Sequence, residues 1–286
     1  MLSPDRIEQL CLSSSSKVDQ LRASVRARGS ALVAFSGGVD STFVLKVAVQ
    51  ELGNRAVALT AISPSVAPAE QNAARELARA LGVRHVEIES HEIDDPRYAR
   101  NPSDRCYFCK SELYAICERV RAELGLAAVV DGFNADDRTD HRPGHRAALE
   151  KAVFSPLAEA GLTKEEIRAW SNRLGLPTWE KPAMPCLASR LPYGTPVTRE
   201  RLEQIGAAES ALGRLGFREL RVRHHGEVAR LEIGATELPR LMDPALRAEA
   251  TRALKALGFR FVALDLEPFR SGRLNEAAGI VPPRAD

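Results

Sequence analysis

No uninterrupted apolar run in the chain approaches the roughly 20 residues that a membrane-crossing helix needs, so no membrane partner is expected. The first residues lack a basic segment followed by an apolar one, and without such a secretory signal the expected location is cytoplasmic. Charge of one sign is scarce as well: 40 Lys and Arg stand against 38 Asp and Glu, a net +2. That balance argues against nucleic acid as a partner, although the arginines leave room for a local basic patch. Cysteines number only five, and in a cytosolic chain they read as thiols, metal ligands or catalytic groups rather than disulfides. What is present is ordinary for a globular protein: 286 residues, 44% apolar and 27% charged. A chain of this length buries a full core in one large domain or two modest ones.

The stretch Ala31 to Ser41 reads as a buried strand, a glycine turn and the start of a helix. Ala31 to Phe35 is an apolar run suited to a parallel strand covered on both faces. Thr42 to Leu52 carries apolar residues at helical spacing and stops at Gly53, a natural cap. Between them Gly37 and Gly38 let backbone N–H groups approach an anion at the helix N-terminus, where the macrodipole favours negative charge. Two familiar phosphate loops are excluded, because no Gly-Lys-Ser/Thr follows and three spaced glycines are missing. Ser36-Gly-Gly-Val-Asp-Ser41 resembles instead, at every position, the signature of the PP-loop ATP pyrophosphatases. The resemblance implies ATP as cofactor, pyrophosphate as leaving group and transfer of AMP. Ser36, Gly37, Gly38 and Ser41 would cradle the phosphates, with Asp40 helping to hold Mg²⁺.

Around this stretch the chain alternates strand and helix. Residues 5 to 28 predict a leading helix, interrupted near the serines at 13 to 16. Ala56 to Ile62 is a second strand, Pro68 to Leu81 a helix closed by Gly82, and Val86 to Ile88 a third strand. Residues 91 to 105 carry no period, and a helix then runs to about Leu124. Ala127 to Val130 is the next strand, delivering Asp131-Gly-Phe-Asn134-Ala-Asp136-Asp137 to the edge where open α/β sheets bind ligands. That cluster is either a solvated turn or a carboxylate site for the metal on the phosphates. It resembles the Gly-Thr-Asn-x-Asp-Asp segment of nucleotide-activating PP-loop enzymes, with Phe133 in place of Thr, which implies nucleotide contacts from Asp131 and Asn134. Asp140 to Gly144 is loop-like, with Arg142 available to an anion. Thr163 to Glu166 forms a capping box for a helix ending near Gly175. Alternation of this kind means βαβ units and a parallel sheet.

From about residue 196 the character changes to a small α+β unit: helix (Thr198 to Leu215), strand (Phe217 to Arg223), a turn at His224-His-Gly226, strand (Val228 to Ile233), helix (Pro244 to Leu257) and strand (Phe261 to Leu266). Arg221 and Arg223 share one strand face. Taken alone that face reads as solvated, the alternative being an anion grip. The expected architecture is therefore α/β, a parallel-sheet PP-loop domain over 1–195 followed by a small α+β domain over 196–275, with a tail at 276–286.

Cys106-x-x-Cys109 by itself admits half a zinc site, a redox pair or two core thiols. Cys11 and Cys117 fall within helical patterns and read as packing. Cys186 sits in a proline-bounded loop with Arg190, a setting that lowers a thiol pKa. Read together with the phosphate loop, Arg105-Cys-Tyr-Phe-Cys-Lys110, Asp131 to Asp137, Arg142-Pro-Gly144, Ser155-Pro-Leu157, Cys186-Leu-Ala-Ser-Arg190, Arg221-Val-Arg223 and Asp265 to Gly272 resemble the LarE family of ATP-dependent sulfur transferases from about residue 18 to 275. The resemblance implies adenylation of a carboxylate on pyridinium-3,5-biscarboxylate mononucleotide and displacement of AMP by sulfur, in nickel-pincer cofactor biosynthesis. Arg190, Arg221 and Arg223 would bind this small nucleotide substrate. The sulfur would come from Cys186, left as dehydroalanine, or from sulfide on a [4Fe-4S] cluster held by Cys106, Cys109 and Cys186. The two extra cysteines favour the cluster, since sacrifice needs only Cys186. A homo-oligomer is also implied. The competing readings are a PP-loop tRNA thiolase, an amide-forming ligase of the NAD or GMP synthetase kind, and a nucleotide-binding regulator with no activity.

Overall fold

The computed structural model describes residues 2–138, 143–270, 272–277 and 279. Asp140 and Arg142, with Ser271, Pro282 and Pro283, lie outside the described residues. Among the described residues no helix is long and apolar enough to cross a membrane.

Three short apolar runs and a more polar edge strand, separated by helices, build a four-stranded parallel sheet from β1 (Ala31–Ala34), β2 (Ala56–Ile62), β3 (Arg84–Glu89) and β4 (Ala128–Val130), with β3 at the edge in the order β3-β2-β1-β4. The two faces alternate as a pleat requires. Leu32, Val57, Leu59 and Val129 pack on Cys117 and Val120 of the helix Arg105–Glu123. Ala31, Val33, Ala58 and Val130 pack on Phe43, Val44 and Val47 of the helix Val39–Leu52. The chain leaves β1 toward β2 on one side and later returns to place β4 on the other. The crevice at the carboxyl ends of β1 and β4 is thus the topological switch point where such sheets take ligands.

The expected leading helix is two, Pro4–Ser13 and Ser15–Ala27. They part at Ser14, whose buried hydroxyl donates to the Leu10 carbonyl at 2.6 Å and accepts from Trp170 Nε1 at 2.9 Å. Residues 91 to 105 hold two short turns of helix, Glu92–Asp94 and Pro96–Ala99. A helix absent from the sequence reading, Pro143–Glu150, packs on the cysteine-bearing helix, and a Cβ on its Gly144 would stand 2.7 Å from Lys110 Cγ.

A second sheet contains β5 (Leu220–His225), β6 (Val228–Ile233) and β7 (Phe261–Leu264). β5 and β6 pair antiparallel, and β6 and β7 pair parallel with the helix Pro244–Ala256 between them in sequence. His224 and His225 belong to the strand rather than to the turn, which tightens at Gly226 with φ +64°. This sheet has its own core, including Leu212, Val222, Leu231, Leu254 and Phe259.

Candidate active site at the carboxyl edge of the parallel sheet

The turn after β1 needs glycine at position 37 for two reasons. Its φ is +70°, and a Cβ there would meet Ala74 Cβ at 3.1 Å and Ala74 Cα at 3.2 Å. Gly38 caps the helix Val39–Leu52 without a side-chain hydrogen bond, which leaves the first N–H groups without a side-chain cap. Ser36 and Ser41 close the turn with hydroxyls 3.1 Å apart, and the Ser41 hydroxyl donates to the Gly38 carbonyl at 3.2 Å. The four residues read from the sequence as a phosphate cradle, Ser36, Gly37, Gly38 and Ser41, are thus held together in one turn, with Asp40 beside them at the start of the helix.

β4 delivers Asp131, which is buried with both oxygens occupied. Oδ1 accepts from Ser155 Oγ at 2.7 Å and from the Phe133 amide at 3.1 Å, and Oδ2 accepts from the Tyr114 hydroxyl at 2.8 Å. Burial, then the nearby Asp131, pushes the Tyr114 phenol up, so the proton stays in that bond. The Asp131 carboxylate thus holds the strand end through Tyr114, Phe133 and Ser155. Gly132 presses directly on the phosphate loop, where a Cβ would lie 2.9 Å from Ser41 N. Asn134 does reach the loop, donating from Nδ2 to Asp40 Oδ1 at 3.4 Å, while its own oxygen accepts the amides of Asp136 and Asp137.

Two lysines that the sequence reading did not single out converge on the cradle. Lys164 pairs with Asp40 Oδ2. Its position at the first turn of a helix, where a cation opposes the macrodipole, is the signal that marks it. Lys181 donates to the Gly37 carbonyl at 3.1 Å and pairs with Glu70 at 2.7 Å.

Lys181 also begins the loop that leads to Cys186, five residues on, a stretch that spans at most ~18 Å when fully extended. Leu187 N donates to the Ser65 carbonyl at 2.7 Å, tying the cysteine to the loop after β2. From the other side Arg221 Nη2 donates to the Ala183 carbonyl at 3.1 Å and Arg223 Nη1 to the Ser189 carbonyl at 2.8 Å. The cysteine loop is therefore gripped between the parallel sheet and the second sheet.

Arg190, expected to contact substrate, is 1% exposed and fully engaged. Nε and Nη2 each donate to Glu209 at 2.9 Å, and Nη1 donates to the Pro185 carbonyl at 2.7 Å. Its role in the structure is to clamp the cysteine loop to the helix Arg199–Arg214. Arg221 and Arg223 are buried, against the solvated reading of their face. Arg223 pairs with Glu232 at 2.6 Å. Arg221 forms no ion pair among the described residues, and its guanidinium stands 4.6 Å from the centre of the Phe269 ring. Burial, then the charge of Arg190, pulls its pKa down to about 10. A buried cation of this kind, beside a second arginine, is half of an anion site.

Cys106 and Cys109 occupy the first turn of the helix Arg105–Glu123, and Cys109 and Cys186 pack in one cluster with Tyr98 and Leu187. Burial chiefly, with Glu92, Cys186 and Cys106 adding, pushes the Cys109 thiol up. Arg105 lies nearby and is buried: burial opposes its charge, while Cys186 and Cys106 favour it. Cys11 and Cys117 are buried away as packing residues. Three neighbouring thiols match the soft donors of iron–sulfur chemistry rather than the oxygen ligands of Mg²⁺. Among the described residues no three His, Cys, Asp or Glu side chains gather around a single point to hold one ion.

The asparagine synthase family model matches residues 18–123, which include the phosphate loop and the first two of these cysteines. The chain is 45% identical over 260 residues to an uncharacterized protein of Synechocystis sp., covering 91% of this chain and 97% of that one. It is 39% identical over 245 residues to the pyridinium-3,5-bisthiocarboxylic acid mononucleotide synthase of Lactiplantibacillus plantarum, covering 85% and 88%. A lower similarity, 23% over 204 residues, links it to a component of the glutamine-hydrolyzing GMP synthase of Methanothermobacter thermautotrophicus, covering 65% and 63%.

Proposed function

The chain belongs to the LarE family of ATP-dependent sulfur transferases, and from that premise we propose that it converts a carboxylate of pyridinium-3,5-biscarboxylate mononucleotide to a thiocarboxylate, a step of nickel-pincer cofactor biosynthesis. The observation that carries the proposal is the pairing of two loops: the glycine cradle at Ser36 to Ser41, and the Cys186 loop that starts with Lys181 on the Gly37 carbonyl.

A carboxylate is a poor electrophile because its charge repels a nucleophile and oxide is a poor leaving group. In the first step a carboxylate oxygen attacks the α-phosphorus of ATP, the bond to the β-phosphate oxygen breaks, and pyrophosphate departs into the cradle. The N–H groups of the helix Val39–Leu52 and the hydroxyls of Ser36 and Ser41 receive that charge, with Lys181 adjoining. Asp40, oriented by Asn134 and Lys164, is the residue suited to Mg²⁺, which when bound supplies charge to the phosphates. In the second step sulfur attacks the acyl carbon and AMP leaves. Arg221 and Arg223 hold the substrate phosphate, with a buried cation in excess to meet it.

The sulfur comes from Cys186 itself or from a cluster that Cys186 helps to hold. As donor its thiolate forms the acyl thioester, and loss of its α-proton with cleavage of its Cβ–S bond releases the thiocarboxylate and leaves dehydroalanine. Cys106 and Cys109 favour the second source, a [4Fe-4S] cluster held with Cys186, which when bound supplies an exchangeable sulfide. In this reading residues 1–195 carry the ATP chemistry, 196–275 hold substrate and loop and mediate self-association as a homo-oligomer, and 276–286 form a tail.

Cys186→Ala separates the two steps. The variant is expected to release pyrophosphate with substrate and ATP yet form no thiocarboxylate. Intact mass of the wild type after turnover identifies the source, since sacrifice removes H₂S, about 34 Da, from the chain. A variant that still makes thiocarboxylate refutes the role of Cys186.

A further inference from the structure

Glu92 lies in the aperiodic stretch after β3, to which the sequence reading gave no function. It is 1% exposed, and its carboxyl group accepts three serine hydroxyls: that of Ser63 on Oε1, that of Ser65 on the same oxygen at 3.1 Å, and that of Ser90 on Oε2 at 2.5 Å. It forms no ion pair among the described residues. Burying a carboxyl group without a cation costs stability, and the three donated hydroxyl hydrogen bonds offset part of that cost. Its value is therefore to be sought in what the serines hold.

Ser65 is a junction. Its carbonyl accepts the Leu187 amide at 2.7 Å, immediately after Cys186, and its hydroxyl shares a 2.7 Å hydrogen bond with the Tyr98 hydroxyl. Tyr98 is fully buried and packs in the cluster containing Cys109 and Cys186. On Oε2 the Ser90 hydroxyl gives its one proton to Glu92, and the adjoining His91 amide donates to Glu112 Oε1. Glu112 belongs to the helix that carries Cys106 and Cys109. One carboxyl group thus branches to both cysteine-bearing elements, the loop through Oε1 and the helix through Oε2.

We propose that Glu92 is a positioning residue for sulfur transfer, a buried hub that fixes the Cys186 loop and the Cys106–Cys109 helix in one register. The inference rests on the sulfur-transfer reading. Glu92 touches neither the cradle nor the arginines, so its loss should slow the second step and spare the first. Rigid placement of reacting groups is the property that a small loosening damages most.

The test is a single-turnover assay of the full-length protein that follows pyrophosphate release and thiocarboxylate formation separately in wild type, Glu92→Gln and Glu92→Leu, with thermal melts of each. In Glu92→Leu pyrophosphate release is expected to stay within about twofold while thiocarboxylate formation falls roughly tenfold or more. Glu92→Gln, which keeps an acceptor, should fall between the two. If Glu92→Leu does not melt cooperatively, Ser65→Ala takes its place, since it removes only the hydroxyl bridging Glu92 and Tyr98. Equal loss at both steps, or no loss at either, overturns the hub while leaving the overall reaction intact. A wild-type protein that releases no pyrophosphate refutes the sulfur-transfer reading itself, and the hub with it.

Discussion

Gly132 is the position at which a single methyl group probes the adenylation step. An alanine Cβ there would lie 2.9 Å from Ser41 N, 3.1 Å from the Asp40 carbonyl carbon and 3.2 Å from Asp40 Cβ. Two of these three atoms are backbone in the first turn of the helix Val39–Leu52, so no rotamer change relieves the contact. The helix start must retreat by about half an ångström, an overpacking that costs about 1–3 kcal/mol. A displacement of 1 Å in a reacting geometry costs about a hundredfold, so half of that predicts a loss of roughly tenfold in substrate-dependent pyrophosphate release. Gly213→Ala is the control, since nothing lies within 4 Å of the Cβ it adds to the helix Arg199–Arg214. It should leave the rate unchanged and raise stability by up to about 1 kcal/mol. A folded Gly132→Ala protein releasing pyrophosphate at the wild-type rate would refute the claim that this contact sets the cradle.

Two further outcomes follow from the buried cation and from the thiols. Folding lowers the Arg221 pKa from the ordinary guanidinium range to about 10, so its charge costs stability at neutral pH and the cost fades as pH rises past about 10. Arg221→Met should leave the melting temperature of the ligand-free protein unchanged or higher. It should also weaken binding of a pyridinium mononucleotide roughly tenfold to a hundredfold, judged by the ligand-induced rise in melting temperature. In the wild type that rise should vanish as pH climbs through about 10, and an equal rise in Arg221→Met contradicts the assignment. Anaerobically purified wild-type protein is expected to show iron–sulfur absorbance that Cys106→Ala lacks. A wild type without that absorbance, together with full single-turnover activity in Cys106→Ala, excludes the cluster as the sulfur source.

The parallel sheet was legible because β1, β2 and β4 are short apolar runs and the helices after β1 and β2 end at glycines with positive φ, Gly53 and Gly82. The cradle was legible for the same reason: its chemistry depends on backbone conformation, which local sequence dictates. Side-chain pairing over long separations was not. Arg190 stands beside Cys186 in sequence and reads as its activating cation, but its partner is Glu209, on a separate helix. Arg221 and Arg223 alternate as a solvated face does, and only the packing of the second sheet on the cysteine loop shows them buried. Asp131 looked like a ligand because carboxylates at strand ends often are, yet Tyr114 and Ser155 occupy its oxygens. Lys164 was hidden inside a capping box whose residues were explained without it.

Heavy-oxygen labelling shows whether the carboxylate itself attacks ATP before sulfur arrives. Substrate labelled in its carboxylate oxygens is turned over once with ATP, and the AMP released is weighed. Heavy oxygen in the AMP phosphate is the predicted result, because displacement by sulfur leaves one carboxylate oxygen on phosphorus. Unlabelled AMP, or ADP in place of AMP and pyrophosphate, would contradict the account.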